Sequence, residues 1–193
     1  MERKLRLGSA QPSNSGYVGT AILLIDMQPY FTRRVSNIET IEVPNMLRVL
    51  EHAGENKIPV VVLEYEGNGS TIGALKAKVD ALPTSKAYVS KSYDNGFANT
   101  DLRYRLRCMG TTEVVLMGIN ASACVKATAT GALNKGFGIL TSLDLIADSY
   151  YCGNLDHRSG DWYRKHGRVA QDHHDLLGFI DKKRERRKQG NSR

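Results

Sequence analysis

The sequence predicts an α/β domain with a doubly wound, mostly parallel sheet of five or six strands and helices on both faces. Three observations predict it. Apolar runs such as Ile58 to Glu66 (IPVVVLEYE) and Glu113 to Ile119 (EVVLMGI) are too continuous, and too rich in β-branched residues, for strands with one wet face. Stretches between them repeat apolar residues at helical spacing, so strand and helix alternate along the chain. Several runs also end on a polar residue capable of chemistry, as expected where parallel strands open their carboxyl ends onto a ligand crevice.

The elements follow in order. A Gly-, Ser-, Pro- and Asn-rich lead-in, residues 1–18, is expected to lack regular structure, and the first strand runs from Thr20 to Asp26. Val43 to Lys57 places Val43, Met46, Leu47, Val49, Leu50 and Ala53 on one helical face, with Pro44 tolerated in the first turn. Ile58 to Glu66 is the second strand, and GNGST after it forms a loop. Ile72 to Val79 reads as a short helix, Ala87 to Lys91 as the third strand, and Asn99 to Met109 as a helix closing at Gly110. Val114 to Ile119 is the fourth strand, Ser122 to Asn134 a helix, and Phe137 to Leu143 a fifth strand ending at Asp144. From Tyr150 to His174 the alternation dissolves into Tyr, Gly, Arg and His. Beyond Asp161 one further helix is expected, with Leu176 to Ile180 as the candidate for a sixth strand; without that strand a sheet edge would need cover from a neighbouring subunit.

Composition bounds the reading. With 193 residues and 41% hydrophobic content the chain suffices for one domain, placed at 19–181. The net charge of +7 suggests nucleic acid until it is located. Residues 182–193 hold seven Lys or Arg against one Glu, and Met1 to Leu7 hold three against one, which leaves the body between them at about −1. The basic run 182–193 is therefore expected to be a solvated, disordered tail, with no specific nucleic-acid partner. Cys108, Cys124 and Cys152 are odd in number and lack metal-like spacing, which fits a reducing compartment. MERKLRLGSAQPSNSGYVG contains no apolar h-region and no apolar run approaches bilayer length, so the expectation is a cytoplasmic protein without a membrane partner.

Asp26, Lys91 and Cys124 would then converge on one sheet edge as an acid, a cation and a thiol. A thiol of ordinary acidity is only slightly ionised at neutral pH. Asp26 can accept its proton, Lys91 can hold both the carboxylate and a nascent thiolate, and a helix starting near Ser122 or Ala123 would aim its N-terminal N–H groups at the sulfur. Taken singly, Asp26 also fits a cap or ion pair, Lys91 a solvated cation, and Cys124 a small buried hydrophobe.

These residues resemble the isochorismatase-like cysteine hydrolases, which include nicotinamidases, N-carbamoylsarcosine amidases and isochorismatases. The resemblance rests on Asp26, Gln28 and Phe31 at the first strand; on Lys91, Phe97, Thr100, Asp101 and Leu102; and on Gly118, Cys124, Val125, Thr128 and Ala129. It covers about Thr20 to Asp148 and implies a Rossmann-like three-layer fold, a catalytic triad of Asp26, Lys91 and Cys124, and a homo-oligomer. It further implies a cis peptide between Ile119 and Asn120 that turns the N–H of Asn120 toward that of Cys124, as a two-donor oxyanion hole. Asn120 replaces the Ala or Val frequent there, and its side chain faces either the substrate or its own loop. Nicotinamidases of the family bind a divalent metal through an Asp and two His after the second strand. EYEGNGSTIGALKAK contains no histidine, so no metal or other cofactor is expected. His52, His157, His166, His173 and His174 are taken as surface residues.

Gln28, Phe31, Tyr65 and Phe97 are the candidate pocket residues, beside Tyr30 and Tyr93; Glu64 and Glu66 serve equally as rim charges. The reading that follows is a cysteine-dependent hydrolase acting on a small amide or carbamoyl compound through a thioester. The alternatives are a vinyl-ether hydrolase of isochorismate type, or a silent family member that serves as a binding or scaffold protein.

Overall fold

The computed structural model describes residues 19–149 and 157–190. The lead-in 1–18, Cys152 and the end of the tail, 191–193, lie outside the described residues. In chain order the elements are β1 Gly19–Ile25, α1 Pro29–Thr32, α2 Glu42–Glu55, β2 Val60–Tyr65, α3 Gly73–Ala81, β3 Lys86–Lys91, α4 Leu102–Cys108, β4 Thr111–Ile119, α5 Cys124–Asn134, β5 Gly138–Ser142, β6 Ile146–Ala147, α6 His157–His166, β7 Arg168–Ala170 and α7 His173–Gly190. The sheet order is β3-β2-β1-β4-β5-β7, with the two-residue β6 added beside the end of β4, and every pairing is parallel.

Alternation along the strands splits the apolar residues between two cores. Ile22, Leu24, Val60, Val62, Val115 and Met117 pack with Met46, Val49 and Leu50 of α2, Leu75 and Val79 of α3, and Leu176 and Ile180 of α7. Ala21, Leu23, Ile25, Val61, Leu63, Val114 and Leu116 pack on the other face with Leu102 and Leu106 of α4, Val125 and Ala129 of α5, and Tyr163 of α6. The three layers are thus the doubly wound arrangement expected from the buried runs. Among the described residues no helix is long and apolar enough to cross a membrane.

The sheet has seven strands rather than five or six, because β6 and β7 are only two and three residues long and leave almost no periodic signal. The last strand is Arg168–Ala170, paired to Leu140–Ser142, and not Leu176 to Ile180. The latter segment is helical: Leu176 and Ile180 are four residues apart and both buried. Asp172 caps this helix, its carboxylate accepting the N–H of Asp175 at 2.9 Å, while Asp175 accepts the N–H of Gln171 at 3.1 Å. Helix α4 begins at Leu102 instead of Asn99, because Asn99 takes a positive φ of 54° and Thr100 Oγ1 accepts the Leu102 N–H.

The basic run beginning at Lys182 is not an unstructured tail over its described length, since α7 continues through it to Gly190. Lys and Arg are good helix formers and suit a helix C-terminus. Two of them are also engaged: Lys183 pairs with the buried Glu113, which accepts from Thr20 Oγ1 at 2.8 Å, and Arg184 donates to the carbonyl of Asn56 at 2.8 Å. Lys183→Met is expected to lower stability by about 1–2 kcal/mol in urea denaturation, since Glu113 would keep its burial and lose its cation. Adding Glu113→Gln should recover part of that loss, giving a measurable coupling between the two positions.

Candidate active site

The chain order crosses itself between β1 and β4: β2 and β3 lie on one side of β1, and β4 and β5 on the other. The carboxyl ends of β1 and β4 therefore flank a crevice. Asp26 is the first residue past β1, in the left-handed region at φ 54°, with its N–H bonded to the Leu63 carbonyl of β2 at 3.0 Å. Lys91 ends β3, in register with Tyr65 at the end of β2. It follows Val89 by two residues and so projects to the same face as Leu63 and Ile25, the face covered by α4 and α5. Cys124 is the first residue of α5, two residues later than expected for that helix.

The three predicted residues meet there. Lys91 Nζ lies 2.8 Å from Asp26 Oδ2, and both side chains are essentially sealed from solvent. The ammonium also donates to the carbonyl of Tyr93 at 3.2 Å and sits 4.3 Å from the centre of the Tyr65 ring. Among the described residues neither carboxylate oxygen of Asp26 has a well-aligned hydrogen-bond donor apart from the ion-pair contact of Oδ2 with Lys91, so the group keeps lone pairs available. Burial pushes the Asp26 carboxyl up from the usual carboxylate range, against the opposing pull of Lys91. Burial first, and the charge of Asp26 second, push the Cys124 thiol far above its ordinary value, with Lys91 opposing. At neutral pH the resting sulfur is a protonated thiol next to a potential acceptor.

The loop that carries the sulfur is tightly held. The peptide bond between Ile119 and Asn120 is cis. The carbonyl of Asn120 accepts the N–H groups of Ala123 and Val125, Asp148 accepts the N–H of Ser122 at 2.8 Å, and the buried Tyr163 hydroxyl donates to the Ala121 carbonyl at 2.7 Å. Among the described residues nothing accepts the N–H of Asn120 or of Cys124. The Asn120 side chain is settled: its Oδ1 accepts both the N–H and the hydroxyl of Ser149, so it braces its own loop. Gly118, with φ 141°, pairs with Ile25, and a Cβ there would stand 2.1 Å from the Ile25 carbonyl oxygen.

Two of the expected pocket residues are structural instead. Gln28 is fully buried and bridges β2 to the following loop: its Nε2 donates to the carbonyls of Tyr65 and Gly69, and its Oε1 accepts the Tyr65 N–H at 2.7 Å. Phe97 is core, stacked on Phe137 at 5.9 Å. Phe31 packs between Tyr30 and Tyr65, and Tyr65 itself lies against the site with its hydroxyl bonded to the Ser92 carbonyl. His173 corrects the expectation of surface histidines: it is buried and bonded to Asp144 at 2.6 Å, because the end of β5 and the start of α7 meet there. His52 pairs with Asp181 at 3.0 Å. Among the described residues no group of three His, Cys, Asp or Glu is arranged to hold a metal ion.

One residue escaped the sequence reading. The thiol of Cys124 donates to Asp94 Oδ1 at 3.5 Å. Asp94 is exposed and held by its backbone, whose carbonyl accepts Thr128 Oγ1 at 3.2 Å. Its only sequence signal is a carboxylate between the Lys91 and Phe97 landmarks.

The family model of the isochorismatase domain matches residues 20–151. A secreted isochorismatase effector of Verticillium dahliae is 28% identical over 147 residues, covering 71% of this chain and 77% of that protein. A streptothricin hydrolase of Streptomyces noursei is 31% identical over 66% of this chain and 54% of its own length. A maleamate amidohydrolase of Pseudomonas putida is 30% identical over 49% of this chain and 43% of its own. This chain thus spans about half the length of the last two. Among solved structures, an isochorismatase-like hydrolase from Alkaliphilus metalliredigens superposes with a TM-score of 0.70 at 23% identity, covering 84% of this chain and 99% of that one, which is a likeness of fold.

Alkylation of Cys124 by iodoacetamide, read by peptide mass mapping because Cys108 is exposed, is expected to be slow at pH 7 and to climb through the alkaline range. Asp26→Asn removes a charge that keeps the proton on sulfur, so the profile should move to lower pH and the rate at pH 8 rise by about tenfold. Lys91→Met should move it the other way. A profile indifferent to both would detach the ion pair from the sulfur. Gly118→Ala should cost about 3 kcal/mol or more in urea denaturation, since the added Cβ collides with β1 in a backbone conformation it resists.

Proposed function

The chain belongs to the isochorismatase family of hydrolases, and we propose that it is a cysteine-dependent amidohydrolase acting on a small amide or carbamoyl compound through a thioester. The observation that carries this reading is the closeness of a thiol, a buried carboxylate with free lone pairs and a buried ammonium at the switch point of the sheet. The amidohydrolase among the relatives supports the choice of a C–N bond.

The chemistry follows from the charges. Asp26 takes the proton from Cys124 as the sulfur bonds to the substrate carbonyl carbon, and the oxygen becomes an oxyanion bound by the N–H groups of Asn120 and Cys124. The C–N bond then breaks, and Asp26 passes its proton to the departing nitrogen. Water enters, loses a proton to Asp26 and attacks the thioester; the sulfur leaves and recovers that proton. Lys91, 2.8 Å from Asp26 Oδ2, holds the carboxylate in place. A carboxyl raised above the usual carboxylate range by burial is a better proton acceptor than a solvated one, which suits it to both halves of this cycle.

The vinyl-ether reading has no use for a thiol bonded to Asp94 beside the Asp26–Lys91 pair, and the scaffold reading has none for an ion pair sealed from solvent. Ammonia release from a panel of small amides and ureides tests the proposal. At least one member should be turned over by the wild type and lost by about a thousandfold or more in Cys124→Ala and in Asp26→Asn. Intact-mass measurement during turnover should catch an acyl adduct on Cys124. Undiminished turnover by Cys124→Ala would end the cysteine mechanism.

A further inference from the structure

Within the cysteine-hydrolase reading, we propose that Asp94 is a specificity-determining residue that selects substrates carrying a positive charge, an ammonium or guanidinium group, a few bonds from the scissile carbonyl. Its carboxylate is 3.5 Å from the sulfur, so a cation bound to it would lie within about 8 Å of a carbonyl carbon bonded to that sulfur.

The carboxylate is held in place. Thr128 Oγ1 donates to the Asp94 carbonyl and accepts the Gly96 N–H, which ties the loop to α5. The next residue, Asn95, accepts the Phe97 N–H and lies where α5 has Gly131; a Cβ at that glycine would be 2.3 Å from Asn95 Oδ1. Such a mounting is unneeded for a solvated surface acid, and it fixes Asp94 relative to Cys124 through a single helix.

Among the described residues Asp94 forms no ion pair: Lys91, three residues before it, is paired with Asp26, and Lys126, on the helix that carries Cys124, lies over the Trp162 ring at 5.5 Å. A second carboxylate, Glu66, is bonded to Ser92 Oγ two residues before Asp94. Tyr93, 53% exposed and adjacent to Asp94, offers an aromatic face to the same cation.

This carboxylate works against the resting enzyme, since a negative charge near sulfur opposes thiolate formation. A cationic substrate reverses that effect, because binding neutralises Asp94 at the moment the thiol must ionise. The charge that excludes anions thereby couples activation of the nucleophile to arrival of the right substrate.

The test compares two thiol reagents of similar size, the cationic 2-(trimethylammonio)ethyl and the anionic 2-sulfonatoethyl methanethiosulfonates. Labelling of Cys124 is followed by peptide mapping and each rate is divided by that of free N-acetylcysteine. The normalised cation-to-anion ratio should exceed about ten in the wild type at low salt, shrink in high salt, and fall to near one in Asp94→Asn. Taking the ratio cancels any change in thiol acidity caused by the substitution. An equal ratio in wild type and Asp94→Asn, or no labelling of Cys124 by either reagent, overturns the proposal. Loss of the cysteine mechanism would instead show as undiminished turnover by Cys124→Ala and would leave the ratio untouched, so the two failures are distinguishable.

Discussion

An ammonium and a carboxylate, sealed together beneath a thiol, set the terms for the rest of this molecule. Removing either partner of such a pair strands a charge in a medium that solvates it poorly, so the pair demands that both be delivered together. Asp26 and Lys91 are 65 positions apart in sequence and two strands apart in the sheet. Their contact at 2.8 Å requires β1, β2 and β3 to be parallel and in one register, with Ile25 opposite Leu63 and Tyr65 opposite Lys91. A slip of one residue in β3 would turn Lys91 to the α2 face and leave Asp26 unpaired. The continuous apolar strands are what hold that register.

The position of the Cys124 sulfur depends on a different set of restraints, all acting on the short loop between β4 and α5. Gly118 brings β4 against β1 more closely than a side chain would allow, the cis peptide redirects the chain at Asn120, and the loop is then fastened from below by Ser149, Asp148 and Tyr163. Every polar atom of this loop that the described residues use is turned inward, and the N–H groups left over are those of Asn120 and Cys124, at the start of α5. On the proposed mechanism that rigidity matters, since donors that need no rearrangement stabilise developing charge best.

The charge distribution carries a related lesson. The basic residues after Lys182 contribute most of the excess charge, yet Lys183 and Arg184 act as struts that close the amino-terminal edge of the sheet, on Glu113 and on the end of α2. At the opposite, carboxyl-terminal edge, Asp94 lies beside the sulfur and Asp26 is paired with Lys91.

Much of this was legible in the sequence, for reasons of locality. Buried parallel strands and amphipathic helices leave signals within ten residues, so β1 to β5, α2 and the positions of Asp26, Lys91 and Cys124 at element ends could be read directly. The short β6 and β7 could not, because two or three residues have no period, and in α7 a dense run of charge follows only a brief apolar stretch, although Asp172 caps the helix. Gln28 and Phe97 looked like pocket residues because they stand just past strand ends. Which way such a side chain turns is decided by partners 37 or 40 positions away, Tyr65 and Phe137. Asp94 shows the same limit most clearly: its chemistry is visible in the sequence, but its 3.5 Å approach to the sulfur depends on a loop clamped to α5 by Thr128 and Gly131. Local pattern determined which residues could act, and only tertiary packing, which fixes distances between remote segments, decided which of them meet.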